Sequence, residues 1–367
     1  MLGVQGAQAA SNRGRGIERY VAEQVAAMLS ADPGSAALHV DQGLAAPAFL
    51  DTLPWRPAVL SGPPARDPGL YHVMSPFEEL PLDRVWPLWA RRREVGLVVT
   101  LYDLIPLVYP NDYLVTAPLR TQYNARLEML RAADAVLAIS ASAADDAIRL
   151  LGVRRERVVD IAAGCSDLFR PGPAEAPLPG LRPGFLLYVG GLDRRKNVDR
   201  LVEAWAGLAP QTRPQLVVAC RPEPFQERHL RRLAARLGAA GDLLLTGFVS
   251  DAVLLHLYRG CRAHVLPSEY EGFGLPALEA MRCGAATLVS DIGPLRELVP
   301  DAEARFDPRR AEAIAAILRR AIEDAEYLGR RRARAPELAA PYTWERVAQR
   351  TLGAYEAVLA TRSRKAS

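Results

Sequence analysis

Seven short apolar runs, each ended by small or polar turn residues, constrain this chain most: VGLVVTLYD (95–103), DAVLAIS (134–140), FLLYVGG (185–191), QLVVAC (215–220), DLLLTGF (242–248), AHVLPS (263–268) and AATLVS (285–290). Runs this short and β-prone read as buried strands, and the stretches between them carry amphipathic helix patterns. Strand and helix alternating in this way predict doubly wound α/β layers. At 367 residues the chain exceeds one ordinary core and suits two. The segment PGPAEAPLPGLRPG (171–184) is too rich in proline and glycine for either element and reads as the linker. Ligands of open parallel sheets bind beyond the carboxyl ends of the strands, so a cleft between the two layers is the expected site.

The chemistry concentrates after two of these strands. In EYEGFGLPALEAMRCG (269–284), GFG follows AHVLPS as a turn in which Gly272 and Gly274 tolerate positive φ. Pro276 suits the start of a helix that Gly284 stops. A helix N-terminus at a glycine turn attracts anions through its amides and its dipole, and phosphate is the expected guest. Glu279, about one turn inside that helix, can accept hydrogen bonds from a ribose diol, and Glu271 at the strand end would face a sugar. The ordinary alternative is a packing turn followed by a helix carboxylate. The nine-residue pattern EGFGLPALE is more specific than a lone glycine motif.

The second stretch is YVGGLDRRKNVDRLVEAW (188–205). Lysine occurs only at Lys196 and Lys365, and the other forty-four basic residues are arginine. A lysine retained in RRKN, between an apolar strand and an amphipathic helix, marks a place for a compact ammonium donor. Opposite the EGFG turn, Arg195 and Lys196 could neutralise a leaving diphosphate as its bond breaks. Taken alone, RRKN could equally be a solvated basic loop.

Together, GG-x-D-RRKN, TGFVSD (246–251) and S-EYEGFGLPALEAM-CG resemble the donor-binding half of the retaining glycosyltransferases of family 4, which have the two-domain GT-B fold. QGAQAASNRGRGIERY (5–20) is similar to that family's first glycine-rich loop, and VTLYDLIPLVYP (99–110) to its HDLIP segment. ADAVLAISASAADD (133–146) resembles its serine turn, GCSDLFRPG (164–172) the close of its first domain, and YTWERVAQRTLGAY (342–355) its returning helix. The resemblance implies an α/β fold of two Rossmann-like domains facing a cleft. It places an acceptor-binding domain over 1–175, a nucleotide-sugar donor domain over 176–340, and a helix over 341–367 crossing back to the first.

Carried over residue by residue, the family assigns Glu279 to the ribose and Glu271 to the transferred sugar. The amides of Phe273, Gly274 and Leu275, beside Gly272, fall near the sugar or diphosphate, and Lys196 with Arg195 holds the phosphates. Gly14 and Gly16 would let the first loop approach the diphosphate. Three positions depart from the family: Gly191 stands where arginine is common, Tyr102 precedes Asp103 where histidine is common, and Cys220 replaces a strand-ending glycine. Tyr102 and Asp103 are therefore candidates for the sugar or acceptor side without an assigned role.

The implied reaction is retaining transfer of a hexosyl group from a nucleoside-diphosphate sugar to a glycan, lipid-linked or small-molecule acceptor. No cofactor and no metal are expected, because cationic side chains and helix amides stand where another fold uses an Asp-x-Asp metal site. Bacterial mannosyltransferases of polysaccharide and O-antigen assembly carry similar QGAQ, YDLIP and GGLDRRKN segments, which makes GDP-mannose the first expectation for the donor. A silent partner retaining the fold, and a nucleotide-sugar epimerase, are the rival readings.

A net charge of +4 comes from arginines spread along helices, with no nucleic-acid motif or aromatic platform, so nucleic acid is not an expected partner. No apolar run approaches the roughly 20 residues that span a bilayer, and the first residues lack the pattern of a signal peptide. A cytoplasmic protein is expected, with RRRE (91–94) beside Trp86 and Trp89 as the place for peripheral contact with the inner membrane face. The scattered cysteines Cys165, Cys220, Cys261 and Cys283 suit buried free thiols in a reducing compartment.

Overall fold

The computed structural model describes residues 1–9, 16–34, 36–53, 56–174 and 178–366, the side chains of the last two of these excepted. The chain divides into two compact units, Met1–Gly164 with Tyr342–Ser367, and Cys165–Pro341. The boundary falls at Gly164, earlier than the expected 175, because Phe169 is fully buried against Tyr258 of the second unit.

In the first unit the strands are β1 (Leu2–Gly3), β2 (Leu38–His39), β3 (Val59–Leu60), β4 (Leu70–Val73), β5 (Gly96–Leu101), β6 (Ala135–Ala138) and β7 (Val158–Asp160). They form one parallel sheet in the order β3-β2-β1-β4-β5-β6-β7. The strands β5 and β6 are the two apolar runs of this half. β1, β2 and β3 have only two residues each, and β4 carries Tyr71 and His72, so none shows a sustained apolar signal. His72 is buried nevertheless, its ring nitrogens bonded to the hydroxyls of Thr100 and Tyr355. After β6, Ser140 accepts from the Ala143 amide and caps the helix Ala141–Leu151, which Gly152 ends in the left-handed conformation.

The final helix, Trp344–Ala366, packs on the helix Gly16–Ala31 of this unit, with Gln24 Nε2 donating to Thr351 Oγ1 at 3.1 Å. Trp344 lies over Gly164, where an added Cβ would come within 2.5 Å of its ring, and meets Tyr20 edge-on at 4.8 Å.

In the second unit the strands are β8 (Leu186–Val189), β9 (Leu216–Ala219), β10 (Leu243–Leu245), β11 (Ala263–Leu266), β12 (Thr287–Ser290) and β13 (Arg305–Phe306). They too are parallel, in the order β10-β9-β8-β11-β12-β13. Five of the six are apolar runs read from the sequence; β13 has only two residues. Each sheet is a Rossmann-like double winding in which the order reverses beside its first strand. In the second, that reversal lies between β8 and β11, the position at which open parallel sheets bind ligands.

Candidate active site

The two chemistry-bearing stretches leave the sheet at the carboxyl ends of β8 and β11, side by side at the reversal. After β8, Gly190 and Gly191 lead into a 3-10 turn, Arg194–Lys196, and then the helix Val198–Ala206. Asn197, the last residue of RRKN, adopts the left-handed conformation with φ 59° at the start of that helix. Its Nδ2 donates to the carbonyls of Pro267 (3.0 Å) and Pro308 (2.7 Å), tying the loops after β8, β11 and β13 together. After β11, the helix Leu275–Arg282 starts one residue before Pro276, with Gly274 as its cap at φ 112°. An added Cβ on Gly274 would lie 2.5 Å from Leu295, so position 274 requires glycine for both space and conformation.

Between the two loops lies a buried charge cluster. Lys196 Nζ donates to both oxygens of Glu271, at 2.7 and 2.9 Å. Ser268 Oγ donates to Glu271 Oε1 at 2.6 Å, and Arg195 Nη1 reaches Oε2 at 3.4 Å and the Tyr270 carbonyl at 3.0 Å. The Glu269 amide donates to the Arg195 carbonyl at 2.7 Å, which locks the two loops through their backbones. Glu271 is only 7% exposed. Burial pushes its carboxyl up, but Lys196, Arg195 and Ser268 more than offset that and hold it below the ordinary carboxylate range. Lys196 and Arg195 therefore stand opposite the EGFG turn, but the Glu271 carboxylate faces Lys196.

Glu279 is half-buried on the helix Leu275–Arg282, and its Oε2 accepts from the Tyr258 hydroxyl at 2.9 Å. Phe273 and Gly274 are buried, whereas Gly272 and Leu275 are partly open. Gly191 is exposed, and its carbonyl accepts from the Tyr188 hydroxyl. Cys220 is partly exposed, with its thiol pushed up to about 11 by burial; all four cysteines are free. A second cleft of about 390 Å3 opens near Glu269, Asp291 and Arg296. Its carboxylates are engaged internally, Glu269 by Arg200 at 2.9 Å and Asp291 by Arg296 and Arg305 at 2.7 and 2.9 Å.

The candidates in the first unit sit differently. Tyr102 is buried, with its hydroxyl donating to the Met74 carbonyl at 3.0 Å and its ring edge-on to Tyr20. Asp103 accepts from the Ile105 amide at 2.9 Å, a turn contact just ahead of the helix Ile105–Val108. Gly16 lies on the helix Gly16–Ala31, and Gly14 falls outside the described residues. Trp89 meets His39 and Tyr71 edge-on, and Trp86 carries Arg91 over its ring. Both tryptophans pack against the first unit's core. No helix among the described residues is long and apolar enough to cross a membrane.

Sequence reasoning missed Ser268, Asn197 and Tyr258. Ser268 and Asn197 stood inside quoted motifs, but what they bond to depends on which strands are neighbours. Tyr258 lies on the helix Asp251–Gly260, where it reads as an ordinary core aromatic.

Two Rossmann-like sheets, one with a cation and carboxylate cluster at its reversal, place the protein in the GT-B class of glycosyltransferase folds. Residues 176–338 match the family model described as glycosyl transferases group 1. The O-antigen chain mannosyltransferase B of Escherichia coli is 32% identical over 267 residues, covering 71% of this chain and 70% of that one. The serotype-specific mannosyltransferase WbdA of Escherichia coli is 32% identical over 310 residues, 80% of this chain but 37% of WbdA, so the chain spans about a third of that relative's length. Among solved structures, Anabaena HepE in complex with UDP and glucose superposes with a TM-score of 0.73 at 18% identity, over 92% of this chain and 96% of that one, a likeness of fold. The chain belongs to the group 1 glycosyl transferases.

Proposed function

We propose that this glycosyltransferase moves a mannosyl group from GDP-mannose to a glycan or lipid-linked acceptor, with retention at the anomeric carbon and without a metal ion. The observation that carries the reading is the buried Lys196, Arg195 and Glu271 cluster beside the Gly274 helix terminus at the β8/β11 reversal. An ammonium has three donors. Two of those on Lys196 are aimed at Glu271, and the third is left for a phosphate oxygen. As the bond from the anomeric carbon to the diphosphate breaks, negative charge grows on the departing oxygen. Lys196, Arg195 and the amides at the helix start stabilise it there without reorganising, as preorganised electrostatic catalysis requires. The acceptor hydroxyl bonds to the anomeric carbon on the same face and passes its proton to the departing phosphate. Glu271 holds Lys196 in place and accepts from sugar hydroxyls, and Glu279 accepts from the ribose. GDP-mannose is favoured because relatives at 32% identity are named mannosyltransferases.

The test is incubation of the protein with GDP-mannose and mannose-terminated acceptors, in the presence and absence of EDTA, with the new linkage read by NMR. Transfer with an α linkage that survives EDTA is the expected result. A β linkage, a strict metal requirement, or conversion of donor without acceptor would each overturn the corresponding part.

A further inference from the structure

Ser268 sits two residues past the end of β11 and is completely buried. The backbone on both sides of it is pinned to the loop after β8. The Pro267 carbonyl accepts from Asn197 Nδ2 at 3.0 Å, and the Glu269 amide donates to the Arg195 carbonyl at 2.7 Å. The Ser268 hydroxyl, so fixed, donates to Glu271 Oε1 at 2.6 Å. The contacts of Glu271 divide unevenly between its two oxygens. Oε1 accepts from Ser268 at 2.6 Å and from Lys196 at 2.7 Å, whereas Oε2 accepts from Lys196 at 2.9 Å and from Arg195 at 3.4 Å. A carboxylate accepts along about four directions, so a sugar hydroxyl gains a place on Glu271 only where a present donor withdraws. The long Arg195 contact is the weakest of these, and a diphosphate offers that guanidinium closer, charge-assisted bonds.

We propose that Ser268 is a positioning residue for recognition of the transferred sugar: it anchors Oε1 of Glu271, so that Oε2 is the oxygen that takes a sugar hydroxyl when Arg195 turns to the diphosphate. The inference rests on the donor-site reading given above and adds the residue that orients its sugar contact. Lys196 cannot hold the carboxylate by itself, because its ammonium rides on a flexible stem and is drawn to the same diphosphate. Ser268 stays where the pinned backbone puts it. Without that anchor the carboxylate samples further rotamers once the cations shift, and that freedom is lost again when the sugar binds. A serine wanted only for packing at this place could be alanine.

The experiment is calorimetric titration of the full chain, without acceptor, with GDP and GDP-mannose, UDP and UDP-glucose, and ADP and ADP-glucose. Wild type is compared with Ser268→Ala, Glu271→Ala, the double variant and Ser290→Ala. Ser290 supplies the control, since it is equally buried at the end of β12 but its hydroxyl goes to the Leu266 carbonyl at 3.3 Å. For the pair that binds best, Ser268→Ala is expected to weaken the nucleotide sugar about tenfold, the scale of one hydrogen bond to a charged group, and to leave the diphosphate unchanged. In the Glu271→Ala background, Ser268→Ala is expected to add nothing. Ser290→Ala is expected to lower the melting temperature without moving the ratio of the two affinities. If Glu271→Ala lowers that ratio and Ser268→Ala does not, or if Ser290→Ala lowers it as much as Ser268→Ala, the positioning role is overturned and the sugar reading of Glu271 stands. The comparison of the two serine variants does not need Glu271→Ala to fold. If Glu271→Ala leaves the ratio unchanged, or no nucleotide binds, the donor-site reading itself fails and the inference falls with it.

Discussion

Replacing Lys196 with methionine keeps the length and apolar stem of the side chain and removes the charge that faces Glu271. Glu271 would then be a carboxylate at 7% exposure, with Ser268 Oγ at 2.6 Å and Arg195 at 3.4 Å left among the described residues to compensate it. Removing one partner of a buried ion pair costs about 3–5 kcal/mol. The surviving contacts place this case at the lower end, about 3 kcal/mol. For a unit of this size, that lowers the melting temperature by roughly 6–12 °C. The double variant Lys196→Met/Glu271→Gln removes the stranded charge and should recover to within about 1.5 kcal/mol of wild type, while binding no donor. The pH dependence separates this account from a packing defect. In wild type the Glu271 carboxyl is depressed, so its stabilisation is present above the usual carboxylate pKa of about 4.3 and is lost as pH falls through its folded value. In Lys196→Met, burial dominates and raises that pKa, so the deficit relative to wild type should narrow as pH falls from about 7.5 towards 5. Urea unfolding of the three proteins at both pH values reads all of this. A double variant no more stable than the single one, or a deficit independent of pH, would refute the charge argument.

Gly274→Ala places a side chain at φ 112° and against Leu295. It should cost about 1–3 kcal/mol and abolish nucleotide binding, seen by thermal melting and titration. Burial pushes His264 and His72 down to about 3, so both are neutral in the fold but take up a proton on unfolding below about 6.5. Stability should therefore fall with pH below that value, by about 2 kcal/mol per histidine at pH 5, and His264→Phe should reduce the slope by one proton in urea titrations. Trp344→Ala opens a cavity over Gly164 and Tyr20 and should destabilise the first unit by about 3–5 kcal/mol, measured by the shift of its unfolding transition.

The order in which apolar runs and amphipathic stretches alternate determined the two parallel sheets, because such strands must be covered by helices on both faces. The EGFG turn, the helix after it and the lysine of RRKN were legible because glycine at positive φ, a proline at a helix start and one retained lysine are local signals. The short strands β2, β3, β7 and β13 were not legible, since two or three residues borrow their conformation from a neighbour in the sheet. Nor was the use of Tyr102, whose hydroxyl goes to the Met74 carbonyl just past the end of β4. Lys196 and Glu271 lie 75 residues apart, and only the strand order, with β11 beside β8, turns two loop residues into one buried pair. Tyr258 reaches Glu279 for a similar reason: two helices from separate crossovers meet only after the sheet has formed. Local chemistry thus belongs to the sequence, and the pairing of distant groups belongs to the tertiary structure, because hydrogen bonds and ion pairs depend on separations that chain position does not encode.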